Sequence, residues 1–232
     1  MANKKQISAK GERAAIGGYS PQFDIFASLA YNELINDNLV WIKVADPEAE
    51  KLDDIQYATP TEIHAYQVKW TISGDKISFS DFSKLLPKLT SSWQKIKNLP
   101  SSANRKVIPH LLTNKPLSSQ DSIKNKGVKV GTFKEFFEDV WLKIKANQEK
   151  EIDKKWLPIK RELIKMSALD KAEFIEFISV FDFTPKYDFD SLEIRNAKVF
   201  KEDKDLIDFS RLIIEKIASP KREVQFTSRE II

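Results

Sequence analysis

The segment from Asp53 to Trp70 constrains this chain most. Asp54-Ile55-Gln56-Tyr57-Ala58 and Ile63 to Trp70 are both rich in β-forming residues, and Thr59-Pro60-Thr61-Glu62 between them has turn chemistry. Two strands closed by a four-residue turn set a register. Ala58 opposes Ile63, Gln56 opposes Ala65, and Asp54 opposes Gln67. Directly opposed Cβ atoms are about 4.5–5.5 Å apart. Side chains alternate along a strand, so Lys69 shares the face of Gln67. Asp53, His64, Val68 and Trp70 go to the other face. A one-residue slip would scatter the group.

The surrounding pattern is that of an α/β fold. Ser20 and Pro21 start a helix that runs to about residue 36, with Phe23, Phe26, Ala27, Ala30 and Leu34 as its apolar stripe. Leu39 to Val44 reads as the first strand. Residues 79–97 read as a helix capped by Ser80 or Asp81, with Phe82, Leu85, Leu86 and Leu89 buried, and Pro87 is expected to kink or delay it. Lys106 to Thr113 reads as a fourth strand. Pro109 inside it predicts an edge, a bulge or a late start. Gly127 to Thr132 is a short fifth strand. Phe136, Phe137, Val140, Trp141 and Ile144 then form a helical stripe, followed by helical stretches at about 148–167, 170–181 and 203–218. The reading divides the chain into a core of residues 1–145 and a helical extension of residues 146–232. The apolar finish at Glu230-Ile231-Ile232 predicts that the natural protein continues.

Composition removes several classes of chemistry. With no cysteine among 232 residues, there is no thiol nucleophile, disulfide scaffold or thiolate zinc site. The two histidines, His64 and His110, leave a His-rich metal site nearly impossible. No apolar run reaches about 18 residues and no signal-peptide pattern follows Met1, so a cytoplasmic protein with no membrane partner is expected. The net charge of +4 is a mild pointer to a polyanionic partner.

One carboxylate, one amide and one ammonium on one sheet face suit metal-assisted phosphodiester cleavage. Asp54, the Gln67 side-chain carbonyl and the Val68 backbone carbonyl are oxygen donors for a hard divalent cation, Mg2+ or Mn2+. Lys69 is placed to orient a water and to neutralise developing charge on phosphate. An Asp and a Lys on one sheet face also form an ordinary surface ion pair, worth about 0–1 kcal/mol. Asp53 becomes the ligand if a bulge shifts the register. Gln22, at the head of the first helix, either approaches the site or satisfies the helix start. Glu33 on the same helix is either an accessory acid or a solvated side chain. Lys84 and Lys88, one turn apart, and Lys115 after the fourth strand are candidate phosphate contacts. Trp70 either stacks on a nucleotide or packs in the core. His64 lies on the face opposite Gln67 and is not expected to be catalytic; His110 reads as a packed residue.

The pattern Asp54-(x12)-Gln67-x-Lys69 resembles the PD-(D/E)XK nuclease superfamily in the Gln-x-Lys form of Mrr-type restriction nucleases. Gly18-Tyr19 followed by Gln22 resembles the Gly-x-x-Phe-(Glu/Gln) element of those families. Leu52-Asp53-Asp54-Ile55, Ala65 to Lys69, Leu111 to Pro116, Ser119-Gln120-Asp121, and Phe136-Phe137 with Trp141 resemble bacterial antiphage effector nucleases. In those, the domain precedes a STAND-type NTPase sensor (the AVAST systems) or is coupled to cyclic-oligonucleotide sensing or SMC-like partners. The likeness covers residues 11–145. It implies a restriction-endonuclease-like mixed sheet flanked by helices, with a helical C-terminal region. It also implies a magnesium-dependent endonuclease cutting double-stranded DNA with little sequence preference, gated by homo-oligomerisation through a downstream sensor. The sequence departs from the superfamily in lacking a literal Pro-Asp and in having Gln67 at the usual acidic position. The competing readings are a non-catalytic nucleic-acid or partner-binding module on the same fold, and a nuclease acting on RNA or restricted to modified DNA.

Overall fold

The computed structural model describes residues 22, 24–30, 32–33, 36–44, 51–71, 74–189 and the backbone of 225–227. Helix α1 comprises the helical positions among residues 22–33. Its Phe26, Ala27 and Ala30 are buried, as the apolar spacing predicts, and Ile25 joins them. Phe23, Leu34, Ser20, Pro21 and the expected helix at 203–218 lie outside the described residues.

The strands are β1 (Trp41–Val44), β2 (Ile55–Ala58), β3 (Glu62–Lys69), β4 (Lys106–Thr113), β5 (Ile123–Asn125), β6 (Val128–Gly131), β7 (Asp182–Pro185) and β8 (Gln225–Thr227). Six of them form one mixed sheet in the order β7-β4-β3-β2-β1-β8. β3, β4 and β7 run parallel, while β2 and β1 turn antiparallel beside β3. The β2–β3 register pairs Ala58 with Ile63 and Gln56 with Ala65, as read from the turn length. Thr59 closes that turn by donating its N–H to Glu62 O at 2.9 Å and accepting the Glu62 N–H on its hydroxyl. β5 and β6 form a separate hairpin. Its turn, Lys126-Gly127, has φ of 49° and 84°, a left-handed pair suited to a two-residue loop.

Helix α2 (Phe79–Lys97) covers the sheet face that carries Ala58, Ile63, Ala65 and Leu111. Its cap is Ser78 and not Ser80 or Asp81: Ser78 accepts from the Asp81 N–H, and the Asp81 carboxylate accepts from the Ser78 N–H at 3.1 Å. The helix continues through Pro87, and Thr90 donates its hydroxyl to Leu86 O at 3.1 Å one turn later. Pro109 sits in β4 just before the pairing with β7 begins at His110. At that level the strand has a neighbour on one side only among the described residues, which accommodates the missing N–H.

Side chains from both sides of residue 145 share one core. Helices α3 (Phe133–Phe136) and α4 (Leu142–Lys145), joined by a π-helical turn, pack with α5 (Leu157–Ser167) and α6 (Lys171–Val180). Phe136, Trp141, Trp156, Phe174, Phe177, Phe181 and Phe183 share one core with Phe82, Leu86 and Trp93 of α2. The residues after 145 are also not wholly helical, because β7 is hydrogen-bonded to β4. A Pro-containing strand of four residues behind a helix carries too little periodicity to be read as sheet. On the other face, α1 packs over Ile42, Ile55, Tyr57, Tyr66, Val68 and Leu112. Asp121 ties two helix starts together, accepting the Phe79 N–H at 2.8 Å and the Phe133 N–H at 2.9 Å. Among the described residues no helix is long and apolar enough to cross a membrane.

Candidate functional site

One step beyond the last paired residues of the β2–β3 hairpin, Asp54 meets Gln67. The Gln67 side-chain amide donates to Asp54 Oδ2, and the Val68 backbone N–H donates to the same oxygen at 2.6 Å. Gln67 is 3% exposed and Asp54 is half-buried. Gln56, on the same face, is buried and donates to Leu52 O at 3.1 Å. Burial raises the Asp54 carboxyl above its ordinary value. The Val68 N–H opposes that shift, the Asp53 charge adds to it, and the Lys69 ammonium and Gln67 amide oppose it. Asp54 is thus a carboxylate held in place yet poorly solvated when charged.

Lys69 is exposed at the end of β3 and lines a cleft of about 450 Å³. Lys84, Lys88 and Lys115 line the same cleft, so all three candidate phosphate contacts converge with Lys69. Lys51, which sequence reasoning passed over, is a fifth. Its backbone N–H donates to the Ser92 hydroxyl of α2 at 3.0 Å. Its only sequence signal was its place three residues before Asp54. The carboxylate among the lining residues is Asp81, held below its ordinary value first by the Ser78 hydroxyl. Trp70 is half-buried, packs at the edge of the α1-side core and also lines the cleft, so both of its readings have a place. The floor is braced by Asn114, whose amide donates to Thr71 O at 2.7 Å and accepts the Thr71 N–H at 3.2 Å. That bridge holds the ends of β3 and β4 together where their ladder stops.

Glu33 belongs to α1, which packs on the sheet face opposite α2. Its carboxyl is raised by burial and then by the charge of Glu62, the first residue of β3. Glu62 and Gln67 are five residues apart, about 17 Å along a strand. Gln22 is helical and half-buried.

His64 and His110 lie on the face away from the cleft, as the alternation requires. They are hydrogen-bonded to each other, His64 Nδ1 to His110 Nε2, at 2.9 Å. Burial, and then repulsion from a proton on His110, hold His64 below the usual imidazole range. Sequence reasoning placed each histidine correctly but missed the pair, which forms across parallel strands 46 residues apart.

The donor set at Asp54 is compatible with a hard cation. The second carboxylate oxygen, the Gln67 carbonyl and the Val68 carbonyl are oxygen donors, with no sulfur or imidazole among them. Among the described residues no group of three or more His, Asp and Glu side chains gathers in a metal-ligating arrangement. Three protein oxygens would leave a six-coordinate cation about half of its water, and magnesium commonly keeps several waters. Neither the family models nor the curated proteins compared with this sequence give a match.

Proposed function

We propose that this chain is a metal-dependent endonuclease of the PD-(D/E)XK type, with a restriction-endonuclease-like sheet, that hydrolyses phosphodiester bonds of double-stranded DNA. One observation carries the reading. Lys69 belongs at once to the Asp54–Gln67 group and to a cleft walled by Lys51, Lys84, Lys88 and Lys115. A phosphate drawn into the cleft by those ammonium groups arrives beside the carboxylate.

Asp54, the Gln67 side-chain oxygen and the Val68 carbonyl would hold Mg2+ or Mn2+. When bound, the ion supplies Lewis acidity toward phosphate and a more acidic water. The side chains do the rest. Lys69 faces the developing negative charge on the cleaved phosphate and hydrogen-bonds the attacking water. Lys84, Lys88, Lys115 and Lys51 hold flanking phosphates, and Trp70 offers a flat apolar wall to a sugar or base. Asn114 keeps the Lys69-Trp70-Thr71 segment in position. The sequence likeness extends the reading to an antiphage effector that acts as a homo-oligomer, driven by a sensor fused downstream.

The test is plasmid cleavage at high protein concentration with Mg2+, with EDTA and Lys69→Ala as controls. Cleavage abolished in both controls supports the reading. Cleavage that survives Lys69→Ala places the activity elsewhere. A single-carboxylate site also suits a module that binds duplex DNA without cutting it. Retained DNA binding without cleavage, even after forced oligomerisation, selects that alternative.

A further inference from the structure

On the sheet face away from the lysine cleft, four side chains from three adjacent strands form an unbroken row. Glu62 Oε2 is 3.2 Å from His64 Nε2, His64 Nδ1 is 2.9 Å from His110 Nε2, and His110 Nδ1 is 3.3 Å from Asp182 Oδ2. Glu62 and His64 belong to β3, His110 to β4 and Asp182 to β7. Tyr57 stacks on His64 at 4.6 Å and Tyr66 on His110 at 4.1 Å between ring centroids. The imidazoles are left with 14% and 10% side-chain exposure.

The row counts its own protons. An ionised carboxylate only accepts hydrogen bonds, so both outer ring nitrogens must carry hydrogen. The central bond needs one further hydrogen on one of the two inner nitrogens. Three hydrogens on four ring nitrogens make an imidazole–imidazolium pair, one positive charge between two negative ones. With one hydrogen fewer, two lone pairs face each other or a lone pair faces a carboxylate. With one more, two N–H groups and two cations face each other in a buried place. Only the singly protonated pair satisfies all three bonds.

The row ends on the strand that braces the cleft. Directly after β7, the Lys186 N–H donates to Lys115 O at 3.2 Å and the Tyr187 N–H to Thr113 O at 2.8 Å, and both acceptor residues line the cleft. Other charged and titratable groups face the row from each packed element. Lys145 of α4 is 3.9 Å from Asp182 Oδ1, Glu33 of α1 acts on Glu62 and Tyr57, and Tyr66 and Tyr187 adjoin one another. Lys145 competes for Asp182, while the acidic groups favour a proton on the pair.

We propose that this row is a proton-operated latch: one proton shared by His64 and His110 fastens β7 to β3 and β4, and so steadies the Thr113–Lys115 wall of the cleft. Unfolded histidines titrate near 6.5, so around that pH the unfolded pair holds about one proton, as the latch does. Where the latch keeps its proton above that pH, the unfolded chain holds fewer protons than the latch, and stability falls as pH rises. Below it the unfolded chain takes up a second proton that the latch refuses, and stability falls as pH falls. The latch contributes most near pH 6.5. None of this depends on the chain being a nuclease.

The test is long-range proton–nitrogen NMR of the full chain between pH 5 and 9, together with thermal melts. Expected are a hydrogen on His64 Nε2, a hydrogen on His110 Nδ1, and a third lost in one step from the inner pair. The melting temperature should peak near pH 6.5, and the peak should flatten in His64→Gln. Amide exchange at Phe183, Thr184 and Lys115, corrected for intrinsic rates, should be about tenfold faster at pH 8.5 than at 6.5. Two independent histidine titrations near 6.5 overturn the proposal. So does one equivalent of zinc that raises the melting temperature of the wild type but not of His64→Gln, which would make the bridging species a metal. If the Gln variant fails to fold, the wild-type nitrogen spectrum decides alone.

Discussion

Gln67 spends its side-chain amide on Asp54, and the residue after it spends its backbone N–H on the same carboxylate oxygen. Two donors hold the carboxylate still, yet burial outweighs them and its pKa stays raised. A charge kept where it is poorly solvated costs stability. Asp54→Asn should abolish cleavage and raise the melting temperature, by about 2–4 °C for each kcal/mol relieved in a chain of this size. A thermal melt beside the cleavage assay checks both, and a lower melting temperature would count against the argument.

For the proposed nuclease, the same shift sets an acid limit on cleavage. A carboxyl raised above its ordinary value takes up its proton before a free Asp would as pH falls, and a protonated Asp54 holds no cation. Its cost to stability is present above the folded pKa and is relieved as pH falls through it. At metal concentrations well below saturation, where the metal-free carboxyl is the group that titrates, the acid limb of the cleavage profile should therefore lie above about pH 3.9. A limb at or below that value would show that Asp54 is not the titrating group.

Lys69 and the lysines of α2 should separate kinetically. Lys69→Ala is expected to reduce cleavage about 100- to 1000-fold, while the salt dependence of DNA binding changes by only about one phosphate contact. Lys84→Glu with Lys88→Glu should instead weaken binding steeply and reduce cleavage at saturating DNA far less. Filter binding across a salt series, paired with single-turnover cleavage, distinguishes the two patterns.

Gly131 ends β6 against the segment beyond residue 145. A Cβ there would lie 2.6 Å from Trp156 Cη2 and 2.8 Å from a Glu135 carboxylate oxygen. Trp156 is fully buried and hydrogen-bonded through its indole N–H to Asp139 at 3.3 Å, so the ring has little freedom to retreat. Gly131→Ala should destabilise by about 1–3 kcal/mol, measured by urea unfolding.

Cutting the chain after Lys145 should remove more than an appendage. It takes away β7, Asp182 and the ring cluster of Phe174, Phe177, Phe181 and Phe183. Residues 1–145 are expected to melt without a cooperative transition in circular dichroism.

The hairpin was legible because two independent signals agreed on it. Turn length set the register of Ala58 against Ile63, and period-two alternation assigned Gln67 and Lys69 to one face. The lysines were legible only as candidates, since their meeting in one cleft depends on how α2 crosses the sheet. Lys51 was invisible because a residue before a strand carries no period. β7 and the histidine row were hidden for a related reason. Parallel pairing joins segments far apart in sequence, and nothing local to His110 or Asp182 announces the partner.

The position of β7 also bears on how the protein is made. The cleft wall at Thr113–Lys115 is braced by residues 182–187, which leave the ribosome some 70 residues later. Domains emerge N-terminal end first, and long-range parallel pairing is slow to form. A nascent chain thus displays Asp54, Gln67 and Lys69 well before it can complete the cleft beside them. The two ends of one wall thus come together only after some 70 further residues have been made.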